Sequence, residues 1–162
     1  MGYTSGYPAS SCRNRIVELF LKTDAEFLVM MDDDQAPTCN PLDYIEHDFD
    51  VLGFPYPSIR INSDDIIPWF PSPPEEGGLR EVESIGGGCM VIARRVLEHP
   101  EMKAAFSDTY DERGVFTEGE DVAFCRRAKE TGFKIWCAMD KPLLHIKPAE
   151  MLRVWSYANE RN

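Results

Sequence analysis

Three consecutive aspartates, Asp32, Asp33 and Asp34, directly follow a short apolar run and are well suited to metal chemistry. Alternate side chains of an extended segment point to the same side, so we expect Asp32 and Asp34 to lie together and Asp33 to point elsewhere. Two close carboxylates repel each other unless a proton or cation intervenes, and their hard oxygen atoms suit Mg²⁺ or Mn²⁺. An exposed acidic turn is the alternative, but the preceding apolar run favours a cation site at a strand end.

A second group of acidic residues opens a helix predicted over residues 118–131. Thr117 and Glu120 have the spacing of a capping box, and acids in a first helical turn complement the helix dipole. Asp121 is different, because it lies at the end of an apolar stripe along one helical face. A carboxylate in that position suits a general base, and a purely structural acid is an equal alternative.

Other polar residues carry weaker signals. His145 lies in an apolar stretch, where a lone histidine is more often satisfied by its surroundings than used as a ligand. The run Gly86-Gly87-Gly88 matches neither common phosphate-binding glycine pattern, and it indicates close backbone approach to a sugar or to a neighbouring strand. Arg13 and Asn14 lie in a predicted helix, where exposure to solvent is the default for an arginine.

The elements that would position these residues alternate between strands and helices. Continuous apolar runs predict buried strands, and capping signals and apolar stripes predict helices. The strands are expected at 26–31, 51–54, 81–84, 89–93 and 133–137, and the helices at 10–21, 41–47, 95–99, 118–131 and 149–158. This alternation predicts an α/β fold, a three-layer α/β/α sandwich with a mostly parallel sheet.

The length of 162 residues predicts a single domain over 1–162, with an irregular arm at 1–10 and a proline-rich loop at 55–80 that would act as a lid. The formal net charge of -11 disfavours unaided binding of nucleic acid or anionic membranes. The five cysteines form no Cys-x-x-Cys pair, which favours a reducing compartment without structural zinc. Neither a leader nor a membrane span is apparent, so a cytoplasmic location is expected.

Five segments, taken in order, resemble those of GT-A glycosyltransferases, especially the family 2-like enzymes of bacteria and phages. The order of the segments is more specific than any one of them, and it extends over residues 11 to 147. The matching segments are Ser11-Cys12-Arg13-Asn14-Arg15, Phe27-Leu28-Val29-Met30-Met31-Asp32-Asp33-Asp34, Gly86-Gly87-Gly88-Cys89-Met90-Val91-Ile92, Glu118-Gly119-Glu120-Asp121-Val122-Ala123-Phe124-Cys125 and Leu144-His145-Ile146.

The resemblance implies a metal-dependent transferase that moves a sugar from a nucleotide diphosphate to a hydroxyl acceptor. Asp32 and Asp34 would coordinate Mn²⁺ or Mg²⁺ against the donor diphosphate, and His145 would complete the protein ligands. Asp121 would deprotonate the acceptor hydroxyl, with Glu120 orienting the acceptor. The cation would neutralise the charge that develops on the departing nucleoside diphosphate.

The resemblance also implies a site for a UDP-linked or GDP-linked donor, formed by Arg13, Asn14, Asp33, Gly87 and Gly88. Members of this group begin with an additional strand and helix that supply much of the nucleotide pocket, whereas only about ten residues precede the Arg13-Asn14 pair here. The chain would be a minimal form, or a second copy or partner chain would complete the pocket. The alternative functions are a catalytically idle GT-A-like module that binds carbohydrate or protein, and a metal-dependent hydrolase of a phosphorylated substrate.

Overall fold

The computed structural model describes residues 8–56 and 78–145, together with the backbone of 58–61 and 66–69. The helices are α1 (Ala9–Phe20), α2 (Arg94–Leu97) and α3 (Glu120–Glu130), with 3-10 helices at Pro41–His47 and Pro100–Met102. The strands are β1 (Phe27–Met31), β2 (Gln35–Ala36), β3 (Val51–Gly53), β4 (Ser58–Ile61), β5 (Ile66–Trp69), β6 (Leu79–Glu81), β7 (Cys89–Ala93), β8 (Thr109–Tyr110), β9 (Phe116–Glu118), β10 (Ile135–Ala138) and β11 (Leu144–His145).

Local signals account for the positions of the helices. In α3 the acids of the first turn and the basic residues of the last turn complement the helix dipole. The helix ends before Gly132, whose φ of +95° a residue with a side chain rarely adopts. The expected capping box is wrong, because Gly119 is the N-cap and Thr117 lies in β9, where its hydroxyl shares a hydrogen bond with Thr109. No helix among the described residues is long and apolar enough to cross a bilayer.

The main sheet has five strands in the order β1-β7-β3-β10-β6. Three of its four pairings are antiparallel, and only β3 and β10 run parallel. The predicted mostly parallel sheet is therefore wrong. The continuous apolar run of β7 reports burial on both faces, and burial by itself does not determine the direction of a strand.

The α-helices cover one face of the sheet, whereas the predicted sandwich has helices on both. Residues from α1, α2 and α3 all belong to one apolar cluster that includes Val17, Leu97 and Phe124. The opposite face packs a second cluster around Phe49 and Leu52, covered by side chains from the 3-10 helix and from loops. Within residues 8–56 and 78–145, the three-layer α/β/α fold is therefore replaced by a mixed sheet with one α-helical layer.

Two further predictions concern segments that the structure describes only in part. The segment 55–80, predicted to be an irregular loop, contains β4 and β5, which pair with each other in antiparallel register, and most of β6. The predicted arm at 1–10 is described only from residue 8, and there α1 has begun by Ala9. The helix expected at 149–158 lies outside the described residues.

Because three cysteine thiols are buried, we expect the free energy of unfolding to fall at alkaline pH. Burial raises the pKa of Cys89 and Cys125 to about 12 and that of Cys137 to about 11. The unfolded chain releases these protons near pH 9 and the folded chain keeps them, so the free energy of unfolding should fall as the pH rises above 9. The expected slope is about 1.4 kcal/mol per pH unit for each thiol.

Urea denaturation at pH 8, 9 and 10 measures this slope. The Cys125→Ala variant should show a smaller slope, reduced by the contribution of one thiol. This reduction is expected whatever effect the substitution has on stability at pH 8. An identical slope in the wild type and the variant would contradict the assignment of the alkaline loss to buried thiols.

Candidate functional site

The candidate site lies at one edge of the main sheet. Strands β1 and β3 both run antiparallel to β7, so they are parallel to each other and to β10. Their carboxyl ends therefore meet at the same edge as the amino end of β7. Asp32, Asp33 and Asp34 follow β1, Tyr56 follows β3, and the glycines 86–88 precede β7.

Arg13 is the centre of a buried polar network at this edge. The residue is 7% exposed, and its guanidinium donates from Nη2 to both carboxylate oxygens of Asp32, at 2.9 and 3.2 Å. It also donates from Nε to Glu120 Oε1 at 3.2 Å and from Nη1 to the Gly87 carbonyl at 3.1 Å. The planar guanidinium thus joins α1, the end of β1, the glycine run and the start of α3.

The glycine run allows this network to close. A side chain on Gly87 would collide with the Arg13 guanidinium, and one on Gly88 would press against Tyr56 and Gln35. The amide of Gly87 donates to Asp121 Oδ2 at 2.9 Å, while its carbonyl accepts from Arg13. The close backbone approach expected from these glycines is therefore made to the protein's own side chains.

Asp34 and His145 meet although 111 positions separate them in the chain. Strands β2 and β11 pair in antiparallel register with His145 opposite Gln35, and this places His145 Nε2 3.2 Å from Asp34 Oδ2. The His145 side chain is 8% exposed, and the Tyr56 ring packs edge-on against its imidazole with 5.4 Å between the ring centroids.

Negative charge is in excess at this edge. Asp34 and Glu120 act electrostatically on Asp32, and Asp121 acts on Tyr56, so at least four carboxylates surround the Arg13 guanidinium and the Tyr56 hydroxyl. Burial raises the pKa of Asp32, and the neighbouring carboxylates add to this effect while Arg13 opposes it. A cation placed here would offset that repulsion.

The donor atoms present fit a divalent cation at one pair of side chains. The Asp34 carboxylate and the His145 imidazole are ligand types that Mn²⁺ accepts, and they already converge. Asp32 is turned to Arg13, which occupies both of its oxygens. Among residues 8–56 and 78–145 no group of three or more histidine, cysteine, aspartate or glutamate side chains is arranged to hold a metal. The metal role of Asp32, Asp34 and His145 stays a prediction.

The remaining predicted site residues lie in three different settings. The side-chain amide of Asn14 forms two hydrogen bonds with the backbone of Phe106. It donates to the Phe106 carbonyl at 2.6 Å and accepts from the Phe106 N–H at 3.0 Å. Asp33 is exposed beside its two neighbours. Glu120 is tied to Arg13. Asn14 therefore anchors a loop to α1, and a nucleotide role for it stays a prediction.

Two residues of the site, Tyr56 and Gln35, are not among those that the sequence predicts for it. Burial, followed by the charges of Asp121 and Asp32, raises the pKa of the Tyr56 hydroxyl, so it stays protonated and able to donate. Gln35 is 7% exposed, and its Oε1 has no hydrogen-bond partner among the described residues. The available signals were a tyrosine between prolines after a strand and a glutamine directly after the aspartates.

The unsatisfied oxygen of Gln35 predicts that its removal stabilises the fold. An unpaired buried acceptor costs about 1–3 kcal/mol, so Gln35→Met, which keeps the shape, should raise the free energy of unfolding by about 1 kcal/mol. Asn14→Leu is the matched control, because that amide is fully bonded and its loss should destabilise by a similar amount. Urea denaturation compares the two variants, and a Gln35→Met protein less stable than the wild type would contradict the prediction.

No family model matches the chain, and no curated protein matches it. Among solved structures the chain is similar to the crystal structure of A197 from STIV, with a TM-score of 0.55 and 19% sequence identity. The alignment covers 86% of this chain and 68% of that one. At this level of identity the similarity shows a shared fold, and it leaves the function to be argued from the residues at the sheet edge.

Proposed function

We propose that the chain transfers a sugar from a nucleoside-diphosphate donor to a hydroxyl acceptor with the help of Mn²⁺ or Mg²⁺. The observation that carries the proposal is the contact between Asp34 and His145, which brings two ligand types together across 111 positions. The order of the motifs described above supports the same reaction class.

Asp34 and His145 would hold the cation. A carboxylate oxygen of Asp34 and the Nε2 atom of His145 would be its protein ligands. The cation supplies electrostatic stabilisation of the departing diphosphate. The surrounding carboxylates disfavour a bare diphosphate, which accounts for the need for a cation.

Asp121 would accept the proton of the acceptor hydroxyl. Its Oδ2 is held by the Gly87 amide, and this bond fixes the direction of the carboxylate at the first turn of α3. As the acceptor oxygen bonds to the anomeric carbon, the bond from that carbon to the diphosphate oxygen breaks and the proton passes to Asp121. Arg13 holds Glu120 beside this base.

A catalytically idle module that binds a cation and carbohydrate or protein is the second candidate. The observation in its favour is that Arg13, Asp121 and both backbone polar groups of Gly87 are satisfied within the protein. Such internal bonding suits a structural role for these residues.

Calorimetric titration of UDP-glucose, UDP-N-acetylglucosamine and GDP-mannose tests the proposal, with Mn²⁺ and with EDTA. We expect binding only with Mn²⁺, and release of the nucleoside diphosphate when a hydroxyl acceptor is added. If Mn²⁺ binds but none of the three sugar nucleotides does, the idle module would be favoured. Release of free sugar without an acceptor would favour hydrolysis.

The proposal includes a cytoplasmic site of action. Cys39, Cys89, Cys125 and Cys137 are free thiols, which suits a reducing compartment. A second copy or another chain would supply further contacts to the nucleotide. Size-exclusion chromatography with light scattering, with and without UDP and Mn²⁺, would detect a second copy.

A further inference from the structure

The hairpin formed by β8 and β9 exposes aromatic side chains next to the candidate site. Tyr110 is 59% exposed and Phe116 58%, and the adjoining Val115 is also exposed. Tyr110 and Phe116 are paired across the hairpin, with their ring centroids 6.1 Å apart and the rings at 78°. Exposed apolar side chains grouped in this way mark interaction surfaces.

Several hydrogen bonds stabilise the turn of this hairpin, so the two exposed rings are carried by a well-defined backbone. The Asp111 amide donates to the Val115 carbonyl at 2.8 Å, and the Asp111 carboxylate accepts from the amides of Arg113 and Val115, each at 2.9 Å. Gly114 adopts a φ of +76° at the turn. These bonds fix the backbone of the turn that joins the two strands carrying the rings.

Phe116, one ring of the aromatic pair, adjoins the proposed base. The point where a side chain on Gly119 would begin is 3.9 Å from Phe116 Cζ and 3.2 Å from Asp121 Oδ1. Phe116 and Asp121 therefore flank the same small space at the start of α3. A ligand that rests on the ring would present its polar groups to the carboxylate.

We propose that Tyr110 and Phe116 form an aromatic platform that binds a neutral saccharide acceptor beside Asp121. This inference rests on the proposed function. A sugar ring has an apolar face that packs on an aromatic ring and hydroxyl groups that hydrogen-bond at its edge. Residues 108–121 contain six acidic residues and one arginine, so an anionic ligand is disfavoured.

A second copy of the chain fits this surface less well. The exposed parts of Tyr110, Phe116 and Val115 amount to roughly 300 Å², whereas a stable interface buries about 800 Å² on each partner. A single sugar ring or a disaccharide matches the smaller area.

Saturation-transfer NMR tests the platform with the methyl glycosides of glucose, galactose, mannose and N-acetylglucosamine, in the presence of EDTA. We expect saturation of the ring protons of at least one glycoside. Tyr110→Ser with Phe116→Ser should reduce that transfer at least about fivefold. Leu42→Ser, which also changes an exposed apolar residue, should leave it unchanged.

The outcomes separate this inference from the proposed function. If no glycoside shows saturation transfer, or if the double variant retains it, the platform is overturned whatever the donor binds. A double variant that changes the oligomeric state in light scattering would identify a surface between copies and would also overturn the platform. Saccharide binding that depends on the hairpin, in a protein that binds no sugar nucleotide, would support the platform and refute glycosyl transfer.

Discussion

Replacing Arg13 with methionine is expected to lower the free energy of unfolding by about 2–3 kcal/mol, because the change leaves the largely buried Glu120 carboxylate and the Gly87 carbonyl without their donor. Asp32 adds less, because solvent screens the charge of a side chain that is 42% exposed. Asp32 and Glu120 both lose their ion pair, and the Gly87 carbonyl loses its donor. The free energy of unfolding of Arg13→Lys should lie between those of Arg13→Met and the wild type. An ammonium keeps the positive charge, but it cannot reach three acceptors as a planar guanidinium does. Urea denaturation at pH 7 measures the three proteins.

The pH dependence of this loss follows from Asp32. Burial raises its pKa and Arg13 opposes that effect, so removal of Arg13 should raise the pKa of Asp32 further. The folded variant then keeps a proton that the unfolded chain releases. The contribution of Asp32 to the stability of the variant is therefore greatest below the ordinary pKa of 3.8 and falls as the pH rises. The deficit relative to the wild type should be smaller at pH 4 than at pH 7.

A triple variant tests the cause of the Arg13 effect. Arg13→Met combined with Asp32→Asn and Glu120→Gln removes the unpaired charges, and it should recover part of the lost stability. If the triple variant is no more stable than Arg13→Met alone, the loss comes from packing, and the ion pairs would not be its source.

Replacing His145 with alanine, or Asp34 with asparagine, is expected to weaken Mn²⁺ binding at least about a hundredfold. Loss of a residue that only supports a metal ligand commonly costs 10- to 100-fold, so loss of a direct ligand should cost at least the upper value. Calorimetry or the electron paramagnetic resonance signal of free Mn²⁺ measures the affinity directly. Neither measurement requires turnover.

Matched controls separate the ligand pair from general changes in charge. Asp24→Asn changes an exposed acid that precedes β1 and so lies at the opposite edge of the sheet, and His47→Ala changes an exposed histidine on the 3-10 helix. Both should bind Mn²⁺ as the wild type does. If His145→Ala also binds normally, the proposed cation site is wrong.

The positions of the main strands could be predicted from the sequence because burial constrains composition locally. The apolar runs at 26–31, 51–54 and 89–93 correspond to β1, β3 and β7. Their directions could not be predicted in the same way. Strand direction depends on which strands become neighbours, and β7 inserts between β1 and β3 although it follows both in the chain. The alternation of strands and helices along the chain predicts a parallel sheet, but it does not show which strands become neighbours.

The site was predictable in its residue types and less so in their pairings. The family resemblance implied that acids, an arginine and a glycine run would share one site, and the structure brings Asp34 into contact with His145. The sequence could not show that Arg13 holds Asp32, because an arginine in a helix is solvated by default. The positions of Gln35 and Tyr56 depend on long-range packing, which leaves little trace in a local pattern.

The pairing of β2 with β11 determines when Asp34 and His145 can come together as the chain folds. Contacts that close a long loop form late, because the chain must first lose the entropy of the whole intervening segment. Asp34 can have His145 as a neighbour only when β11 has docked on β2. A nascent chain on the ribosome would therefore lack the complete pair until synthesis has passed residue 145, and capture of Mn²⁺ would report that β11 has docked.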